Sequence, residues 1–88
     1  MRGRCHAHFS LVWEDASAGQ RLLLAALAAE PGHPYSEDYR RRHRLPPATN
    51  VQKAIAALRR RELVAKRADG SYAIVEPFFA EWITNEQA

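Results

Sequence analysis

Apolar residues return along this chain at two different periods, and the change between them marks its elements. From Ser17 onward, Leu22, Leu23, Ala26 and Leu27 recur at helical spacing until Pro31-Gly32 stops the run. Ser17-Ala-Gly-Gln20 fits a capping box, in which the Ser17 hydroxyl accepts from the Gln20 amide and the Gln20 side chain accepts from the Ser17 amide. A first core helix should start there. A second, of about two turns, is expected from Ser36 through Glu37 and Asp38, whose charges suit a helix N-terminus, to the cationic Arg40-Arg41-Arg42-His43. Leu45 is its expected link to the core, and Pro46-Pro47 forces an extended turn. The third helix should begin between Pro47 and Thr49, with Thr49-Asn-Val-Gln52 as a possible capping box. Val51, Ala54, Ile55 and Leu58 fall on one side of it, leaving Asn50, Gln52, Lys53, Ala56, Arg59 and Arg60 outward.

After Glu62 the helical period gives way to short β-type segments. Leu63-Val-Ala-Lys-Arg67 and Tyr72-Ala-Ile-Val75 flank Asp69-Gly70, a strong hairpin signal because glycine accepts positive φ at little steric cost. Glu76-Pro77 can open a last helix with proline at its first position, and Phe78, Phe79, Trp82 and Ile83 give that helix a wide apolar stripe. At the other end, residues 1–8 have no clear period and are expected to fray, whereas Phe9, Leu11, Val12 and Trp13 suggest one or two helical turns. That cluster, with the first core helix, is the economical cover for the aromatic stripe. The competing arrangement is a homodimer or domain interface through Trp13, Phe79 and Trp82. Internal cover is preferred, because apolar stripes are more often core than contact surface.

A short helix, a tight turn, a second helix and a hairpin form the layout of a winged helix-turn-helix. The expected fold class is therefore mainly α with a small β-hairpin: a three-helix core, a wing and an extra C-terminal helix. The corresponding division is an N-terminal arm over 1–16 with its short apolar segment, the winged domain over 17–84, and a tail over 85–88. Within the domain the wing occupies about 63–75 and the last helix 77–84.

Charge sharpens this picture. Residues 1–38 carry a net charge of −2, residues 39–67 of +9 and residues 68–88 of −4, so ten of thirteen basic side chains lie in the middle third beside one acid, Glu62. A phosphate backbone or an acidic protein surface is the natural partner for such a block. The competing view is a solvated arginine-rich helix pair. Eighty-eight residues make one small domain, and 47% hydrophobic with 26% charged residues argues against disorder. No apolar run approaches the roughly 20 residues needed to cross a bilayer. Met1-Arg2-Gly3-Arg4 is basic, but Glu14 and Asp15 interrupt any signal-like apolar region, so a cytoplasmic location without membrane contact is expected. The single Cys5 cannot form an internal disulfide.

The order of features also resembles a known family. Leu24-Ala-Ala-Leu-Ala-Ala-Glu30, His33-Pro-Tyr-Ser-Glu-Asp-Tyr39, Leu45-Pro-Pro-Ala-Thr-Asn-Val-Gln-Lys-Ala-Ile-Ala-Ala-Leu58, Leu63-Val64 and Tyr72-Ala-Ile-Val-Glu-Pro-Phe-Phe-Ala-Glu-Trp-Ile83 together resemble the C-terminal winged-helix domain of prokaryotic AAA-type (STAND-like) ATPases. The likeness covers roughly residues 17–84, and the closing Glu-Pro-Phe-Phe-x-x-Trp segment is its most specific part. It implies a non-catalytic module in a DNA-binding or regulatory setting, with transcription regulation as one such setting. The phosphate-cradling loop ending in Gly-Lys-Ser/Thr is absent, so this chain cannot hydrolyse ATP by that mechanism. Arg44 stands at the turn after the second helix, where relatives often have glycine. If that position is left-handed, arginine costs about 1 kcal/mol there.

The candidate site follows from the layout. The N-terminal half of the third helix enters the major groove, where Thr49 lies at its start, Asn50 or Gln52 bonds an adenine edge and Lys53 reaches guanine or phosphate. Arg40, Arg41, Arg42 and Arg44 are expected to hold backbone phosphate from one side, and Lys66 and Arg67 from the wing. Arg59 to Arg61 suit the helix C-terminus electrostatically, an explanation at least as good as a contact. Cys5-His6-Ala7-His8 is too short and too poor in partners for a zinc site, so neither metal nor cofactor is expected. Tyr35 and Tyr39, at i and i+4, read as packing residues of the second helix. No nucleophile with an adjacent base and no carboxylate pair in an apolar wall supports catalysis. The alternative to DNA binding is a protein-interaction or regulatory domain serving an ATPase core.

Overall fold

The computed structural model describes the backbone of residues 2–87 and the side chains of residues 7–87. Five helices and one hairpin follow in the order α1 (Arg2–Glu14), α2 (Ala18–Ala29), α3 (Glu37–Arg42), α4 (Ala48–Arg60), β1 (Val64–Lys66), β2 (Tyr72–Ile74) and α5 (Pro77–Glu86). This is the expected helical core with a hairpin and an extra terminal helix.

The capping box starts α2 as the sequence requires: the Ser17 hydroxyl accepts from the Gln20 amide at 3.3 Å, and the Gln20 carbonyl accepts from the Ser17 amide at 3.4 Å. α2 then lies between α4, α5 and β2, and buries Leu23, Leu24, Ala26 and Leu27. Leu22, expected on the same face, is 47% exposed. It stands roughly a third of a turn away from the centre of the buried arc, which neighbours on both sides shift toward Leu24.

α5 lays Phe79, Trp82 and Ile83 against α2 and α1. The Phe9 ring centroid is 5.1 Å from that of Phe79 and 6.1 Å from that of Trp82, while Trp13 meets Trp82 edge-on at 6.4 Å. The aromatic stripe is thus covered within the chain by the Phe9–Trp13 segment. Phe78 is the exception at 70% exposure, about a quarter of a turn from the centre of the buried face. α1 is longer than the one or two turns expected, since helix begins already at Arg2. Its apolar face is too narrow to show as a period: Phe9, Val12 and Trp13, at i, i+3 and i+4, are what it turns to the core.

Thr49 does not cap α4. The N-cap is Pro47, whose carbonyl accepts from Asn50 and Val51 at 2.9 and 3.1 Å, so Thr49 lies within the first turn and faces solvent. Val51, Ala54, Ile55 and Leu58 are buried, as their spacing requires.

Both α3 and α4 close with the same arrangement. After α3, Arg44 donates to the Arg41 carbonyl and Leu45 to that of Arg40; after α4, Glu62 donates to Arg59 and Leu63 to Leu58. These are Schellman closures, which place the residue after the cap in the left-handed region. Arg44 has φ 54° and Glu62 φ 61°, so a side chain sits twice where glycine is at ease.

The hairpin pairs Val64 with Ile74, Ala65 with Ala73 and Lys66 with Tyr72. Gly70, at φ 91°, makes the tip, and the Asp69 carboxylate accepts from the Ser71 amide at 2.9 Å and hydroxyl at 2.7 Å. A third stretch joins at the base. Gly32 donates to the Tyr72 carbonyl at 3.2 Å and accepts from its amide at 2.7 Å. A Cβ at Gly32 would meet the Tyr39 ring at 2.9 Å, so this glycine is needed for close approach.

Candidate nucleic-acid interface

The outer face of α4 follows from the burial of its inner one. With Val51, Ile55 and Leu58 fixed in the core, Thr49, Asn50, Gln52, Lys53, Ala56, Arg59 and Arg60 are all exposed. The four residues expected to meet bases therefore share the first two turns of one solvent-facing helix surface. On the wing, Lys66 and Arg67 are exposed, as is the neighbouring acid Asp69, whose carboxyl Ser71 holds below its ordinary range, through its hydroxyl and then its amide.

The arginines of α3 are arranged differently from a free cationic comb. Arg41 Nη2 is 3.2 Å from Asp38 Oδ1, and Arg42 Nε is 3.1 Å from Asp38 Oδ2. Arg42 Nη1 also reaches Glu30 Oε1 at 2.6 Å, and His43 Nε2 lies 2.9 Å from the same oxygen. Two ring contacts centre on Tyr39: the Arg42 guanidinium lies 5.6 Å from its centroid and the His43 ring 4.4 Å. Tyr39 is buried and donates to the Glu30 carbonyl at 2.6 Å. Burial, then the nearby Glu30 charge, pushes its phenol far above the ordinary value. The Glu30 carboxyl is held down by its bonds to His43 and then Arg42. Farther along, Arg61 meets Asp15 at 3.4 Å.

Three of the ten basic side chains of the central block are thus paired with acids of residues 1–38, and the charge segregated in sequence is partly neutralised in space. Arg40 is half-buried, with its Nε out of water and without an acceptor among the described residues, an arrangement that costs about 1–3 kcal/mol. Arg44 is exposed on its left-handed backbone. Arg44, Lys53, Arg59, Arg60, Lys66 and Arg67 form no ion pair among the described residues.

One cluster lay outside the sequence expectations. The Arg59 guanidinium lies over the Tyr72 ring, 5.9 Å from its centroid, and Tyr35 meets the same ring edge-on at 6.1 Å. Tyr35 precedes α3 instead of sharing a helical face with Tyr39, and it is 41% exposed, so only Tyr39 packs as expected. Burial raises the Tyr35 phenol, the Tyr72 phenol beside it adds to the effect, and Arg59 opposes it. Only the β alternation that turns Tyr72 and Lys66 to one side of the hairpin hinted at this grouping.

Among the described residues no group of three or more histidine, cysteine, aspartate or glutamate side chains is placed to hold a metal ion; the side chains of Cys5 and His6 lie outside the described residues. No helix among them is long and apolar enough to cross a membrane. Neither the curated proteins nor the solved structures contain a match to the chain. The model of a family described as "probable winged helix domain" matches residues 7–85, from the second turn of α1 to the end of α5. With that match spanning every element of the fold, the chain belongs to this family of winged helix domains.

Proposed function

We propose that this domain is a non-catalytic module that binds double-stranded DNA. α4 enters the major groove with Thr49, Asn50, Gln52 and Lys53 toward the bases, and Arg40, Arg41 and Arg44 with wing residues Lys66 and Arg67 meet flanking phosphates. The observation that carries the reading is the exposed polar row of α4 in a winged helix whose neighbouring cations Arg44, Lys53, Lys66 and Arg67 form no ion pair among the described residues. Asn50 and Gln52 are suited to adenine edges and Lys53 to guanine or phosphate. Ala56 offers no reach beyond them, so specificity is modest and transcription regulation would draw on additional subunits or domains. Arg41 contributes least of the phosphate set, because Asp38 competes for its guanidinium.

Binding of a labelled random-sequence duplex by the purified domain, at low and at near-physiological salt, tests this. Affinity should fall steeply with salt. The double charge reversal K53E/K66E should weaken binding to every sequence alike, and undiminished binding by that variant would overturn the assignment of the face.

A second reading, a protein-contacting domain of a larger ATPase, draws on the closing Glu76-Pro77-Phe78-Phe79 segment and on the exposure of Phe78 at 70% and Leu11 at 67%. Phe79 and Trp82 are core residues, so such a partner would meet Phe78 and Leu11 in their place. A molar mass above one chain that returns to one chain in F78S would favour it.

A further inference from the structure

We infer that Arg59, Tyr35 and Lys66, grouped around the Tyr72 ring at the base of the wing, form a phosphate-binding site that takes one backbone phosphate of duplex DNA. The inference rests on the DNA-binding reading above and adds Arg59 and Tyr35, which that reading does not use, to its wing residue Lys66.

The geometry favours an anion for three reasons. First, a guanidinium laid over an aromatic face is fixed in place while its five N–H donors, which lie in its own plane, stay free for hydrogen bonding. Arg59 is in this state: it stands over Tyr72, is exposed, and its guanidinium forms no ion pair or hydrogen bond with the described residues. A forked donor set held rigid loses little freedom when it meets two phosphate oxygens, the geometry in which arginine exceeds lysine. Second, Lys66 is the cross-strand partner of Tyr72 and so projects from the same face of the hairpin. Arg59 from α4 and Lys66 from β1 therefore approach one ring from two elements. Third, Tyr35 presents a half-exposed phenol against that ring. Its hydroxyl keeps its proton through the neutral range, since burial and the Tyr72 phenol raise it, and a protonated hydroxyl donates to a phosphate oxygen.

An arginine at a helix C-terminus also complements the helix dipole, and Arg60 provides the comparison. It is the next residue, likewise exposed and also in the last turn of α4, but has no ring contact among the described residues. If Arg59 acted through charge alone, the two would be interchangeable.

The experiment is a salt titration of binding to a labelled random-sequence duplex by the full chain and its R59A, R60A, R59K and Y35F variants, each checked for folding by circular dichroism. R59A should weaken binding several-fold at the lowest salt and reduce the slope of log affinity against log salt by about one phosphate's worth. R60A should cost less than half as much on both measures. R59K, which keeps the charge without the planar fork, should recover less than half of the loss, and Y35F should weaken binding about twofold with the slope unchanged. If R59A does not fold, R59K and Y35F decide the matter, and parental binding by both overturns the site. Equal losses in R59A and R60A also overturn it, while leaving the DNA-binding reading intact. A parent chain that binds no duplex at any salt removes both.

Discussion

Two arginines in this small domain lie over tyrosine rings at nearly the same distance, Arg42 over Tyr39 at 5.6 Å and Arg59 over Tyr72 at 5.9 Å. Arg42 gives its donors to Asp38 and Glu30, whereas Arg59 gives its own to no acid among the described residues. The stacking is common to both, and the difference lies entirely in what surrounds the rim of the guanidinium. One belongs to a closed electrostatic cluster that fastens α3 to the end of α2; the other is held in place with its hydrogen-bonding capacity open. Counting positive charges along the sequence treats them as equal.

This contrast is easiest to break at the ring of the closed cluster. Y39A should cost the domain about 3–5 kcal/mol, as large buried aromatics do, and chemical denaturation would measure it. Next in size, G32A drives a methyl into the same ring and should cost about 1–3 kcal/mol. In the open cluster the corresponding effects appear in DNA affinity: R59A should lose more binding than R42A, and R42A more thermal stability than R59A. A reversal of either order would show that the two arginines do not divide as their partners suggest. Smaller still, R44G and E62G should each stabilise the fold by up to about 1 kcal/mol, since glycine relieves the left-handed strain that ends α3 and α4. E62G leaves the DNA-facing cations in place and removes the one acid among them, so it should not weaken duplex binding.

The least conspicuous effect is one of pH. The Glu30 carboxyl is held down by His43 and Arg42, so its ionised form contributes stability that is complete above the ordinary glutamate value, near pH 4.3. That contribution disappears as pH falls from there through the lower value in the folded chain. The melting temperatures of parent and E30Q should therefore differ at about pH 5.5 and converge in more acidic solution. A gap that persisted at the acid end would show that the Glu30 side chain acts through something other than its charge.

Local signals in the sequence carried far, and their reach explains what they omitted. The Ser17 box, the inner face of α4 and the Asp69-Gly70 tip each depend on residues within about one turn of one another, and the structure contains them all. Cover of Phe79 and Trp82 by Phe9 and Trp13 was legible because both segments had apolar stripes in need of a partner. Thr49 illustrates the opposite case: its box spacing was correct, but Pro47 had already taken the cap with its carbonyl. The left-handed Glu62 had no compositional marker at all. For the interface, solvent exposure of Asn50, Gln52, Lys53, Lys66 and Arg67 followed from periodicity. The pairing of Arg42 with Glu30 and the placing of Arg59 and Tyr35 on Tyr72 did not, since they join residues 12, 13 and 37 positions apart through folds of the chain.

The two hydrogen bonds between Gly32 and Tyr72 have a topological meaning. They clasp the chain into a ring that begins and ends at those residues, and the whole basic block from Tyr39 to Arg67 lies inside it. Closing a ring of this length costs entropy once, after which α3, the turn and α4 are ordered as one unit. The amide of Tyr72 should therefore exchange with solvent only when that unit opens, which makes a single proton a reporter for the integrity of the entire charged surface.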